Sequence, residues 1–298
     1  MTTAEIVDRQ AAGQETVVVG VDKSDDALGA ARWGAKFAVA YGMPLTLVHA
    51  VPKLSWHFAS VDPAADLDRT ADGDAVLAAV EAVVRSAHPD LAIQSKAVKG
   101  GVANVLADAS ESARVVVVGA GDHRALGGHT VRIAHRTHCP VVIWREPEGT
   151  RTGKPLPVVV GLDDSEGSAR AVAQAFDIAA KLRAPLTVVH MWELDAAVGM
   201  GDLGGQGMMD WPLLEVLQSQ QRQRMDQLVE PLAHRYQSAH VTKVFEDISP
   251  GKGLTELSRE AQLVVVGSSG HGRLAETILG SVSQNLLHHA ECPLLVVR

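Results

Sequence analysis

Apolar, β-branched runs alternate with amphipathic stretches along this chain, and the runs stop at glycine or aspartate. Thr16-Val17-Val18-Val19-Gly20-Val21-Asp22 reads as a buried strand closing in a polar turn. Ser24 or Asp25 can cap the helix that follows, whose apolar positions include Ala27, Ala31, Ala35, Phe37 and Ala38. Gly42-Met43-Pro44 ends it, and Leu45-Thr46-Leu47-Val48-His49-Ala50-Val51 predicts a second strand. Long helices are expected near 68–87 and 213–236, with Pro231 kinking or interrupting the second. Short strands are expected near 93–98 and 241–245, and Leu263-Val264-Val265-Val266 is a further buried strand. Strands alternating with helices predict an α/β fold, a parallel sheet with helices on both faces.

The pattern occurs twice. Shifted by 141 residues without a gap, Val17, Gly20, Asp22, Ser24, Pro44, Thr46 and His49 fall on Val158, Gly161, Asp163, Ser165, Pro185, Thr187 and His190. Further on, 115–119 matches 263–267, and Cys139-Pro140-Val141 matches Cys292-Pro293-Leu294, the shift growing to 148 and then 153. The chain is therefore an internal duplication. Arg145 to Pro157, rich in Gly, Pro and charge, reads as the connection. The expected organisation is a tail over 1–14, a first domain over 15–146, a linker over 147–156 and a second domain over 157–298.

Composition narrows the function classes. A net charge of −8 argues against a general nucleic-acid surface. No run approaches the roughly 18 apolar residues of a membrane span, and the polar start lacks an apolar signal core, so a cytoplasmic protein is expected. The two cysteines hold matching places in the repeats and read as small buried hydrophobes at strand starts. His135 and His138, three apart beside Cys139, have a zinc-like spacing. The cysteine recurs in the other repeat without the histidines, so no metal site is expected. His49 and His190 read as buried strand-end imidazoles with a hydrogen-bond partner.

The chemistry concentrates after Val266. Gly267, Gly270, Gly272 and Gly280 are followed by Ser281, Val282 and Ser283 at the start of an amphipathic stretch. Glycines after a strand let bare backbone approach a ligand, and a helix N-terminus offers unpaired N–H groups to phosphate. The hydroxyls of Ser281 and Ser283 can cap that helix, bind phosphate oxygens, or both. No G-x-x-x-x-G-K-[ST] occurs, so a phosphate-reaching P-loop lysine is absent. In such sheets nucleotides bind at the carboxyl ends of strands, where the strand order reverses.

The spacing Gly267-x2-Gly270-x9-Gly280-Ser281, with two copies of V-V-G-[VL]-D-x-S, resembles the ATP-binding members of the universal stress protein family. The resemblance covers nearly the whole chain apart from tail and linker. It implies two tandem Rossmann-like domains of five parallel strands each, meeting along their last strands. It implies ATP, with or without Mg2+, as the ligand of the second domain. Asp163 would bond the ribose, with Gly161 allowing close approach, Ser165 as a helix cap and Met191 facing adenine. Val266, Gly267, Gly270, His271, Gly272, Arg273, Gly280, Ser281, Val282 and Ser283 would enclose the phosphates.

The first domain keeps Gly20, Asp22, Ser24 and Ala50 on the nucleoside side. On the phosphate side, Gly119, Gly127, Gly128 and Thr130 remain, but Asp122 stands where Gly270 does and the loop is five residues shorter. Negative charge near phosphate disfavours binding there. The expected function is a nucleotide-dependent regulator of a stress response. The competing readings are a slow ATPase or phosphotransferase, and a nucleotide-free scaffold. Self-association through the last strands, as a homodimer or between the two copies, and an unidentified protein partner complete the expectation. The segment 193–211, with several glycines and three methionines, reads as a loop near the nucleotide.

Overall fold

A computed structural model describes residues 16–52, 63–121, 129–147, 155–191, 211–237, 239–268 and 279–298. The tail, Asp122, Gly127, Gly128, Gly270, His271, Gly272, Arg273 and all but the last residue of 193–211 lie outside the described residues. The first half runs β1 (Thr16–Gly20), α1 (Asp25–Tyr41), β2 (Leu45–Val51), α2 (Pro63–Ala87), β3 (Ile93–Lys99), α3 (Val102–Ser110), β4 (Ala113–Gly119), α4 (His129–Arg136) and β5 (Val141–Trp144). The second repeats it as β6 (Val158–Leu162), α5 (Glu166–Leu182), β7 (Leu186–Met191), α6 (Trp211–Arg235), β8 (Val241–Glu246), α7 (Pro250–Ser258), β9 (Leu263–Gly267), α8 (Ser281–His289) and β10 (Leu294–Val297). Helix α6 runs through Pro231 without interruption. Pro231 is exposed and one turn from the helix end, so water can satisfy the carbonyl it leaves unpaired.

All ten strands form one sheet in the order β3-β2-β1-β4-β5-β10-β9-β6-β7-β8. Every neighbouring pair is parallel except β5 and β10, which are antiparallel with Val142 opposite Leu295. The strand order reverses between β1 and β4 and again between β6 and β9, which opens a crevice at the carboxyl ends in each half. The last strands thus associate inside one chain. Neither presents a free edge, so a homodimer by that route has no strand to add to.

Successive strand residues point to opposite faces, and the core divides accordingly. Val17, Val19, Leu45 and Leu186 pack on one face with Phe37, Phe176 and Val229 of α1, α5 and α6. Val18, Val116, Val264 and Leu294 pack on the other with Leu106, Ile133, Leu254 and Leu286 of α3, α4, α7 and α8. Cys139 and Cys292 are buried and free in the second layer, and burial pushes both thiols up to about 12.

Two further devices tie the halves together. On the first face, Tyr41 Oη donates to Asp177 Oδ2 at 2.7 Å, and Arg114 reaches the same oxygen at 3.4 Å. Burial, then the Asp177 carboxylate, drives the Tyr41 phenol far above its ordinary range. On the second face, each half ends in an arginine that crosses the seam. Arg145 donates to the carbonyls of Leu286, Leu287 and Ala290 at the end of α8, while Arg298 donates to the Ala134 carbonyl in α4. Arg145, which composition assigns to the connection, is only 3% exposed.

Candidate functional site

The second crevice is built from the turn after β6. Asp163 Oδ1 accepts from the Ser165 N–H at 2.9 Å and from the Ser165 hydroxyl. Ser165 Oγ in turn accepts from the Ser168 N–H at 3.1 Å, so Ser165 is the N-cap of α5. An aspartate that folds over its own backbone two residues on fixes a tight turn and points the carboxylate to the cavity mouth. Asp22 and Ser24 make the same bonds in the first half, at 2.9 Å for the Ser24 N–H, and Ser24 rather than Asp25 caps α1. Ser168 adds a lock without counterpart there, because Ala27 holds its place. Its hydroxyl accepts from the Asp163 N–H at 2.9 Å and lies 2.8 Å from the Asp163 carbonyl.

A histidine steadies each turn from behind. His190 Nδ1 lies 2.9 Å from the Leu162 carbonyl, and His49 Nδ1 lies 2.8 Å from that of Val21. A carbonyl only accepts, so Nδ1 carries the proton in both rings. His190 is buried and stacks on Phe245. An ion pair from the neighbouring long helix closes each outer side. Arg224 holds Asp164 at 2.6 Å, and Lys23 holds Asp72 at 3.3 Å with the charges exchanged between turn and helix.

Between these walls lies a cavity of about 180 Å³. Gly161, Asp163, Ser165, Met191, Val266, Gly267, Gly280, Ser281, Val282 and Ser283, all named by the sequence, line it together. Ser168, Val189, Pro250 and Leu254 line it too and were not singled out. Ser168 sits in the first turn of a helix, and Leu254 belongs to an apolar helix face that reads as ordinary core. The first half holds a cavity of about 420 Å³ lined by Gly20, Asp22, Ser24, Ala50, Gly119 and Thr130, among others.

Two glycines do something other than admit a ligand. A Cβ on Gly267 would stand 2.8 Å from the Gly167 carbonyl carbon, so its bareness lets the start of α5 approach β9. A Cβ on Gly161 would stand 2.9 Å from Leu254 Cδ1. One apolar wall is a complementary pair. Met191 tucks its sulfur over Gly253, where an added Cβ would lie 2.3 Å from Sδ. In the first half the matching positions hold Ala50 and Val105, large and small exchanged.

The opposite wall is the N-terminus of α8. Its N-cap, Gly280, offers no side-chain bond, so the first N–H groups have no acceptor within the helix. Ser281 is exposed beside the cavity. Ser283 lines the cavity while its buried hydroxyl, 2.9 Å from the Gly280 carbonyl and 3.3 Å from that of Ser268, fastens the loop base. Crevice, carboxylate, bare helix start and apolar wall together suit a ligand with an anionic end and a flat apolar end.

Comparison with known proteins agrees with this architecture. The universal stress protein family matches residues 14–145 and again 156–298. Universal stress protein Rv2623 of Mycobacterium tuberculosis is 32% identical over 296 residues, covering 95% of this chain and 96% of its own. Universal stress protein Rv2005c of the same organism is 34% identical over 301 residues, covering 96% and 97%. A crystal structure of a universal stress protein from Archaeoglobus fulgidus superposes with a TM-score of 0.68 at 16% identity, covering 95% of this chain and 96% of that one. Two matched domains and relatives similar along their whole length leave one conclusion: this chain belongs to the universal stress protein family, as two such domains in tandem.

Proposed function

We propose that the protein binds ATP, with Mg2+, in the second-domain crevice and acts as a nucleotide-dependent regulator. The observation that carries the reading is the convergence of Asp163, Met191, Gly267 and the bare N-terminus of α8 on one cavity at a strand-order reversal. Asp163 stands where a ribose hydroxyl would donate. Met191 and Leu254 offer an apolar flank to adenine, and the α8 N–H groups face the phosphates. Gly270, Gly272 and Arg273 would complete the phosphate side, the arginine supplying charge that phosphate oxygens accept.

Binding is favoured over turnover by where the hydroxyls point. Ser283 donates to backbone carbonyls, which take no proton, and the Ser165 oxygen is held by the Ser168 N–H as the cap of α5, turned from a ligand even though its proton lies on Asp163. The nucleotide then acts by biasing the protein between conformations that a partner distinguishes. The first domain keeps the nucleoside wall, but Asp122 opposes phosphate, so one ATP per chain is expected.

Denaturing freshly purified protein and counting released nucleotide by chromatography tests this directly. One ATP per chain, lost in Asp163→Ala and Gly270→Glu proteins that still fold, is the expected result. Two per chain would show that Asp122 is tolerated. None, with no uptake in a titration with ATP, AMP or cyclic AMP and magnesium, would leave a nucleotide-free scaffold.

A further inference from the structure

We propose that Arg145, supplied by the first domain, is a positioning residue for the phosphate end of the second domain's nucleotide site. The proposal rests on the nucleotide-binding reading above. Arg145 follows β5, yet its guanidinium leaves its own domain and closes on the last turn of α8, 2.6 Å from the Ala290 carbonyl and 3.3 Å from that of Leu286, with Leu287 bonded as well. No carboxylate among the described residues bonds to it. Asp26 attracts it only from a distance, so the bonds that hold this buried cation all come from carbonyls at the negative end of a helix.

Helix α8 is nine residues long, so its ends lie about 13 Å apart. Its far end is the wall of Ser281, Val282 and Ser283 at the cavity. Two effects therefore reach the phosphate site. Three bonds at one end of a short rigid helix fix where its other end stands. The buried charge also attracts an anion there, worth about tenfold in affinity per unit charge at that distance and an effective dielectric of roughly 20.

The seam provides its own control. Arg298 crosses the other way and bonds the Ala134 carbonyl in α4, leaving α8 untouched. Loss of Arg298 removes a contact between domains, a single side-chain bond where Arg145 makes three, without touching the helix that faces the second-domain cavity.

ATP and adenosine affinities would be measured by calorimetry with magnesium in an Asp22→Ala background, so that only the second site is read. Arg145→Met should weaken ATP at least roughly tenfold while adenosine stays within about twofold. Arg145→Lys should lose about threefold for ATP, since lysine keeps the charge but not the fork that spans three carbonyls. Arg298→Met should leave both ligands within about twofold. Equal losses for ATP and adenosine in Arg145→Met, or an equal ATP loss in Arg298→Met, would overturn the positioning role and leave the binding reading intact. Should Arg145→Met fail to fold, the same comparison in Arg145→Lys decides. No ATP binding by the unsubstituted protein removes the function itself and this proposal with it.

Discussion

Gly253 and Met191 make a sign-inverting pair. Gly253 sits inside α7, where alanine would ordinarily stabilise the helix by about 1 kcal/mol. Here the added Cβ would stand 2.3 Å from Met191 Sδ and 3.0 Å from Ile248 Cγ2. Met191 is 7% exposed, between α7 and the sheet, so its side chain can yield only into the cavity. Overpacking of this kind costs about 1–3 kcal/mol. Gly253→Ala should therefore destabilise by about 1 kcal/mol net and, on the proposed function, weaken ATP binding, because the displaced thioether enters the cavity. Met191→Ala alone should cost at least about 2 kcal/mol by the cavity it leaves. In that background the sulfur is gone and Ile248 needs to move only a few tenths of an ångström, so Gly253→Ala should become stabilising by up to about 1 kcal/mol. Urea unfolding of the four proteins at constant slope reads the cycle. The same sign for Gly253→Ala in both backgrounds would refute this account of the wall.

Gly267→Ala should lower stability by about 2–3 kcal/mol and Gly161→Ala by about 1 kcal/mol, because the first meets backbone and the second a movable leucine methyl; equal melting losses would contradict this. Tyr41→Phe should cost about 1–2 kcal/mol in a thermal melt, with Asp177 left to Arg114 and Tyr236; an unchanged melt would contradict it. Cys139 and Cys292 should resist alkylation in the native protein at pH 8 and react on unfolding. Their thiols rise from 9.0 to about 12 on folding, so the folded state holds these protons more tightly. The associated stability is full below pH 9 and declines as pH climbs towards 12. Rapid labelling of folded protein would contradict that burial.

The fold was legible because its signals are local and doubled. Val17, Val18 and Val19 read as strand from three residues alone, and Asp22 and Ser24 recur at Asp163 and Ser165 with the same cap geometry. Pro231 does not interrupt α6, because a missing donor costs little one turn from an exposed helix end. The roles inside the site were less legible. The sequence does not announce that Ser283 also bonds the Gly280 and Ser268 carbonyls at the loop base. Nor does it announce that Gly267, besides lining the cavity, gives room to the start of α5. Arg145 falls at the start of the stretch that reads as the connection, and nothing near it in sequence announces a helix end 141 residues away. Contacts across a pseudo-two-fold seam have no local pattern.

That seam has a genetic consequence. When two identical chains pair through their last strands, any substitution enters both halves at once, and the ligand sites must change in step. Here β5 meets β10 within one chain, so each crevice is encoded separately while the junction stays intact. Ala50 and Val105 against Met191 and Gly253, Ala27 against Ser168, and Asp122 against Gly270 are differences that a dimer of identical chains could not hold. Covalent fusion turned symmetry from a requirement into an option.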